Sequence, residues 1–288
     1  MQIPTEKPVV LSDLYGILAR AVRVTVKDAP SRDAITLFES KNRKDLEDLE
    51  GSLLLETPTE WFHCMCFGSP ALYLYERGGE FVQLTNHHGS SVRCSLWSSD
   101  VHVSNTEKWL SWFDQRGMTS PRQEVEAMRA QKEKRKRDWD RWLAAMPKAI
   151  TGVWSGAQGQ CGPRVDVAPL RAALERDVPN DKERILVLLE WFGSGAGPWS
   201  GFPSYEDAAE ELLLGYPTTS IVEAIQASAI RPAQAEGAAR LFGGWSFRQQ
   251  RPSGLKEVPD SLKKVLWNHV KNTKDTNKLE RAAKSFAE

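Results

Sequence analysis

Between Trp61 and Trp97 the chain reads WFHCMCFGSPALYLYERGGEFVQLTNHHGSSVRCSLW, and no other stretch constrains the fold as tightly. Apolar and polar residues alternate in short runs broken by glycine, the period-two signature of strands whose side chains point to opposite sheet faces. Four strands are expected, over 61–67, 71–76, 81–88 and 91–97. Gly78-Gly79 supplies the two positive-φ positions of a tight hairpin turn, and Gly89-Ser90 supplies a weaker turn of the same length. With two-residue loops, Tyr75 stands opposite Val82, Tyr73 opposite Leu84, His88 opposite Ser91 and His87 opposite Val92. One face then carries Leu72, Leu74, Phe81, Thr85, His87, Val92, Cys94 and Leu96. The other carries Tyr73, Tyr75, Val82, Leu84, His88, Arg93 and Trp97. Both are substantially apolar, so both are expected to be covered.

The same stretch holds three of the four cysteines and three of the five histidines. In a strand Cys64 and Cys66 share a face, and in this register Cys94 lies opposite Thr85 and diagonal to His87. Cys64, Cys66, His87 and Cys94 are therefore the candidate metal ligands, a Cys₃His set that suits zinc. Two features favour ordinary core packing instead: the paired cysteines are separated by a single residue, and free cysteine is commonly buried as a small apolar side chain. His87 and His88 point to opposite faces of a strand and cannot jointly hold one ion without distortion. His88 shares a face with Arg93, lies close to Ser90 and Ser91, and is followed by Asp100. A serine–histidine–aspartate hydrolase can be drawn from these residues, but no nucleophile elbow of glycine, serine and glycine accompanies them.

Cys64-Met65-Cys66, His87-His88-Gly89, Arg93, Trp97 and Trp109-Leu110 together resemble a module found in a group of uncharacterised bacterial proteins. The resemblance covers about residues 60–117. It implies a bacterial origin and a shared module, and brings no activity with it.

Elsewhere the chain reads as helix over 11–22, short strands near 22–26, 35–38 and 53–55, and a charged helix over 43–50. Ser104-Asn-Thr-Glu107 is a capping box for a helix that ends at Gly117. Ser120-Pro121 opens a long helix whose seam runs Val125, Met128, Lys132, Arg135, Trp139, Trp142, Met146. Its ends are apolar and its middle is charged, so it is expected to pack at both ends and cross solvent between them. Residues 151–164 contain four glycines and no periodicity, which marks a linker. Beyond it only helices are expected: 165–177, 181–192, 204–214, 218–229, 232–242, 259–272 and 275–287. Short helix pairs in series resemble the HEAT and armadillo class of helical repeats, although no fixed period recurs. An irregular bundle is the alternative. The fold class is thus α+β, with a mostly antiparallel sheet domain over 1–118, a connecting helix over 119–150, the linker over 151–164 and an all-helical domain over 165–288.

Lys plus Arg equals Asp plus Glu at 38 each, so the formal net charge is zero, which argues against a general nucleic-acid binder. The one concentrated basic run is Lys132, Lys134, Arg135, Lys136 and Arg137, close to Trp139 and Trp142, which could stack on bases. Glu133, Asp138 and Asp140 interleave it, as on a solvated helix face. No basic start followed by an apolar run marks a secretory signal, and no apolar run approaches the about eighteen residues of a membrane span. A cytoplasmic location with reduced cysteines is expected. The leading expectation is a non-catalytic protein–protein interaction protein, for example a bacterial immunity or regulatory factor. The alternatives are a zinc-dependent hydrolase built on the cysteine–histidine cluster and, third, a nucleic-acid-associated protein working through the basic helix. Zinc is the one cofactor suggested.

Overall fold

The computed structural model describes residues 7–31, 33–156, 165–227 and 229–287. Most of the expected linker, 157–164, lies outside the described residues. The fold is α+β, a six-stranded antiparallel sheet followed by helices, and the chain divides into two units, 1–132 and 133–288. Among the described residues no helix is long and apolar enough to cross a membrane.

The sheet comprises β1 (Arg23–Lys27), β2 (Thr36–Ser40), β3 (Ala71–Tyr75), β4 (Phe81–His87), β5 (Ser91–Cys94) and β6 (Val101–His102), in the order β2-β1-β3-β4-β5-β6. Its register differs from the expected one at both hairpins. Tyr75 pairs with Phe81 and Leu72 with Leu84, while His87 pairs with Ser91 and Leu84 with Cys94. Both loops hold three residues instead of two. Glu76 and Glu80 remain hydrogen-bonded around Arg77-Gly78-Gly79, with Gly79 at φ +83°. His88-Gly89-Ser90 forms the second loop, with His88 at φ 53° and Gly89 at φ +66°. Each extra residue reverses which way the following strand presents its side chains. The two reversals cancel for β5, so β4 alone is turned over relative to expectation.

The consequence is a clean division of faces. Val24, Val26, Leu72, Leu74, Val82, Leu84, Val92 and Cys94 line one side and are all buried. They pack with Leu14 and Leu18 of α1 (Leu11–Arg20), Leu46 and Leu49 of α2 (Arg43–Ser52), and Trp109, Trp112 and Phe113 of α3 (Thr106–Asp114). Truncating any of the three α3 aromatics to alanine removes about 3–5 kcal/mol. Asn86 shares this face and accepts a 2.9 Å hydrogen bond from the Trp109 indole. The cap of α3 falls one residue later than the capping box suggests: Asn105 accepts from the Lys108 amide, while Ser104 turns to the Leu54 carbonyl.

Residues 61–70 form no strand. Instead of extending the sheet, this segment runs across its second face, where Thr85, His87, Ser91 and Arg93 project. Ser99 and Asp100 hold its start: the Asp100 amide donates to the Phe62 carbonyl and the Ser99 hydroxyl accepts from the Phe62 amide. Asn86 holds its end, through the Ser69 amide and carbonyl.

The long helix α4 (Ser120–Ala144) meets expectation in its burial: Val125 and Trp142 are buried and the positions from Glu126 to Arg137 are exposed. The division between the two units falls inside it, between Lys132 and Glu133. In the second unit, α7 (Asp181–Gly193) and α10 (Pro232–Gly243) pack most extensively, with α8 (Asp207–Leu214) and α9 (Thr218–Gln226) on α7, and α12 (Asp260–Thr273) and α13 (Thr276–Phe286) on α10. A Cβ at Gly193 would stand 1.9 Å from the Ala233 carbonyl oxygen, and one at Gly237 1.9 Å from that of Leu189, so the two backbones touch. This is a bundle about a central pair, not a series in which each helix rests mainly on its chain neighbours. Its remaining α-helices are α5 (Lys148–Thr151), α6 (Ala168–Asp177) and α11 (Trp245–Gln250), the last too short for its periodicity to be read from sequence. Beside α10 an ion pair is fully enclosed: the Arg240 guanidinium meets Glu206 while lying 4.5 Å from the Phe192 ring and 4.2 Å from the Phe202 ring.

Candidate functional site

The segment over the second sheet face brings Cys64 and Cys66 to the turn that follows β4. Their sulfurs are 3.0 Å apart, and the Nε2 of His88 lies 3.4 Å from the first and 3.5 Å from the second. His88 reaches them because it stands outside the strand, in a left-handed conformation that histidine tolerates better than most side chains. Gly89 follows because nothing larger fits: its φ is positive, and a Cβ there would lie 2.4 Å from Val125 Cγ2. The other imidazole nitrogen of His88, Nδ1, is 2.7 Å from the Glu124 carboxylate on the first turns of α4.

His87 points the other way around Cys66. Its ring is fully buried and its Nδ1 is 3.0 Å from the Cys66 sulfur, while its Nε2 has no hydrogen-bond partner. Gly68, at φ +76°, closes over this ring; a Cβ there would approach Nε2 to 2.7 Å. Burial holds the His87 pKa below the usual histidine value, so the ring is neutral and can donate from Nδ1 to the sulfur. His88 is shifted the opposite way, chiefly by its hydrogen bond to Glu124.

The thiols themselves are tuned unequally. Contact with Cys66 lowers the Cys64 pKa, while burial raises that of Cys66. The Cys66 amide beside the first sulfur and the Gly68 amide beside the second both favour the thiolate forms. Arg93 and Asp100 are the frame beneath. The Arg93 guanidinium grips Asp100 with two bonds, of 2.7 and 3.0 Å, and also donates to the Cys64 carbonyl. Asp100 accepts from the Cys64 amide at 2.7 Å. Burial pushes the Asp100 carboxyl up, but Arg93 and the Cys64 amide outweigh it and hold the group below the usual aspartate range.

Of the four expected ligands, the structure brings Cys64 and Cys66 together and separates the other two. Cys94 lies on the opposite face, 1% exposed in the apolar core, where burial raises its pKa to about 12. His87 touches Cys66 from outside, and the group of ligand atoms that could surround an ion is Cys64, Cys66 and His88. The separation follows from the turned-over β4, which removes His87 from the face of Cys94. Arg93 and Asp100 support this cluster; with Ser91 buried beneath, they do not assemble a serine triad. Glu124 gave no local signal, being 36 residues from its partner. The basic run on α4 is largely matched within its own helix: Lys134 pairs with Asp138 and Lys136 with Asp140, both at 2.7 Å, and Arg137 lies 3.8 Å from Glu133. Lys132 and Arg135 on the same helix are exposed.

The three-residue group fits a tetrahedral ion. Two thiolates on zinc stand about 3.8 Å apart and a thiolate and an imidazole nitrogen about 3.6 Å. The sulfur–nitrogen distances already match, and the sulfurs need to separate by less than about 1 Å. Compared with known proteins, the chain matches no family model, no curated protein and no solved structure.

Proposed function

We propose that the first unit binds zinc through Cys64, Cys66 and His88, and that the protein acts as a metal-stabilised, non-catalytic interaction protein. The observation that carries this reading is the Glu124–His88 pair. A metal-ligating histidine characteristically donates its second nitrogen to a carboxylate, which fixes its tautomer and orientation. Here that arrangement stands beside two thiols, each with a backbone amide that favours its thiolate, and His88 favours the thiolate of Cys64 as well. Against catalysis, both carboxylates next to the cluster are engaged, Glu124 by His88 and Asp100 by Arg93 and Cys64.

Metal analysis of the purified full chain tests the reading. About one zinc per chain, lost in Cys64→Ser and in His88→Ala, is the expected result. Folded wild-type protein that takes up no zinc from a buffered solution refutes it. A zinc hydrolase is the second reading, favoured by the number of protein ligands, since three with one open position is the usual catalytic arrangement. Zinc-dependent hydrolysis of an activated ester, abolished by Cys64→Ser, would support it over the first.

A further inference from the structure

Three protein ligands leave a tetrahedral ion one position short, and the chain around this gap is unusually apolar. Trp61 is 60% exposed, Phe62 43%, Met65 93% and Phe67 87%. Four large apolar side chains thus face solvent within seven residues, on both sides of each thiol. Elsewhere in the first unit exposed large apolar side chains, such as Val10, Ile35, Leu37, Leu54 and Phe81, occur singly or in pairs. Exposed apolar surface of this density, next to incomplete coordination, is characteristic of a surface completed by something else.

Charge selects what completes it. Zinc carries two positive charges and the two thiolates carry two negative ones, so the three-ligand centre is neutral with a neutral His88. A third thiolate or a carboxylate as fourth ligand would leave a net negative charge, close to Glu124 and beside the exposed apolar side chains of the 61–67 segment, here called the knuckle. Burying an uncompensated charge there is costly. A neutral imidazole keeps the centre neutral and tolerates an apolar cover. Resting on the zinc reading above, we infer that the fourth ligand is a histidine of a partner polypeptide, flanked by apolar residues that pack on Met65 and Phe67. The metal then supplies direction and the knuckle supplies contact area. Neither a lone imidazole nor an apolar peptide satisfies both.

The test uses the full chain loaded with cobalt(II), whose ligand-field bands report the coordination shell, and three peptide probes: acetyl-Leu-His-Leu-amide, acetyl-Gly-His-Gly-amide and acetyl-Leu-Ala-Leu-amide. The first is expected to shift the bands with one-to-one stoichiometry and to bind at least about tenfold more tightly than the second, from the apolar area its leucines bury. The third is expected to leave the bands unchanged. In cobalt-loaded Met65→Ser/Phe67→Ser, the preference for Leu-His-Leu over Gly-His-Gly falls to about threefold or less. Equal binding of the two histidine peptides overturns the inference, as does an unchanged spectrum with all three. Cobalt-dependent dimerisation of the chain without peptide also overturns it, in favour of a second copy. Failure to bind cobalt or zinc at all is a separate result, read in the first step, and removes the zinc reading itself.

Discussion

Glu206→Gln is the most demanding test of how the second unit is held together. The side chains of Arg240 and Glu206 are 2% and 1% exposed. Arg240 also donates to the Phe192 carbonyl at 3.0 Å, and its planar group lies against two phenyl rings. One oxygen of Glu206 accepts from the Ala196 and Gly197 amides at 3.2 and 3.3 Å. Glutamine is nearly the same shape and its carbonyl can keep those two amides, so packing is hardly altered. The change is electrostatic: the guanidinium cannot shed its proton and is left buried without its ion-pair partner. Breaking such a pair from one side costs about 3–5 kcal/mol. Urea unfolding at pH 7, followed by tryptophan fluorescence, to which the buried Trp142–Trp191 pair of the same unit contributes, measures the loss. In Glu206→Gln/Arg240→Met the orphaned charge is gone, so the double variant is expected to lose at least about 1 kcal/mol less than the sum of the single losses. A single-variant loss under about 1 kcal/mol, or strict additivity, would refute the argument.

Three further outcomes are expected. Glu124→Gln should weaken zinc binding about 10- to 100-fold in a chelator competition while the chain stays folded, because the carboxylate orients His88 without touching the metal. Cys94→Ala should keep its zinc and lose stability instead, which thermal unfolding with and without metal separates; loss of zinc would mean that the core thiol belongs to the site. Glu210 is buried and its pKa is raised above 4.5 by that burial, partly offset by the Ser246 hydroxyl. For a raised acid the stabilising neutral form prevails below the ordinary value and is lost as pH rises through the raised one. Glu210→Gln should therefore raise the unfolding temperature at pH 7 and leave it nearly unchanged at about pH 3; an equal shift at both pH values would contradict this.

The alternation of Ala71–Tyr75 and Phe81–His87, the start of α3 to within one residue and the exposed middle of α4 could all be read locally, because each depends on residues a turn or a strand apart. The site depended on what local patterns leave open. Gly78-Gly79 and Gly89-Ser90 both announce turns, yet whether a loop holds two residues or three is decided by which flanking pair stays bonded, and Glu76 and Glu80 are alike in either role. Trp61 to Phe67 alternates like a strand, but its large side chains face solvent and its backbone is bound through Ser99, Asp100 and Arg93, contacts some thirty residues away in sequence. Cys64 and Cys66 were therefore recognisable as a pair from their types, while His88 in place of His87 required the turn geometry and Glu124 required the tertiary fold.

The two three-residue hairpins also impose a rule of parity on how this chain can change. Removing one residue from the first loop alone would turn β4 and β5 over together, sending Cys94 to the second face, under the 61–70 segment, and Arg93 into the core, away from Asp100. Removing one from the second loop alone would spare β4 but reverse β5, with the same loss. Only a change in both loops at once, or a change of two residues in either, returns β5 to its present orientation. The first of these would still exchange Asn86 and His87, breaking the bond from Trp109 on one side and the contact with Cys66 on the other. Length variation at these turns should thus come in even steps, and an odd step should appear only in chains that have lost the cluster.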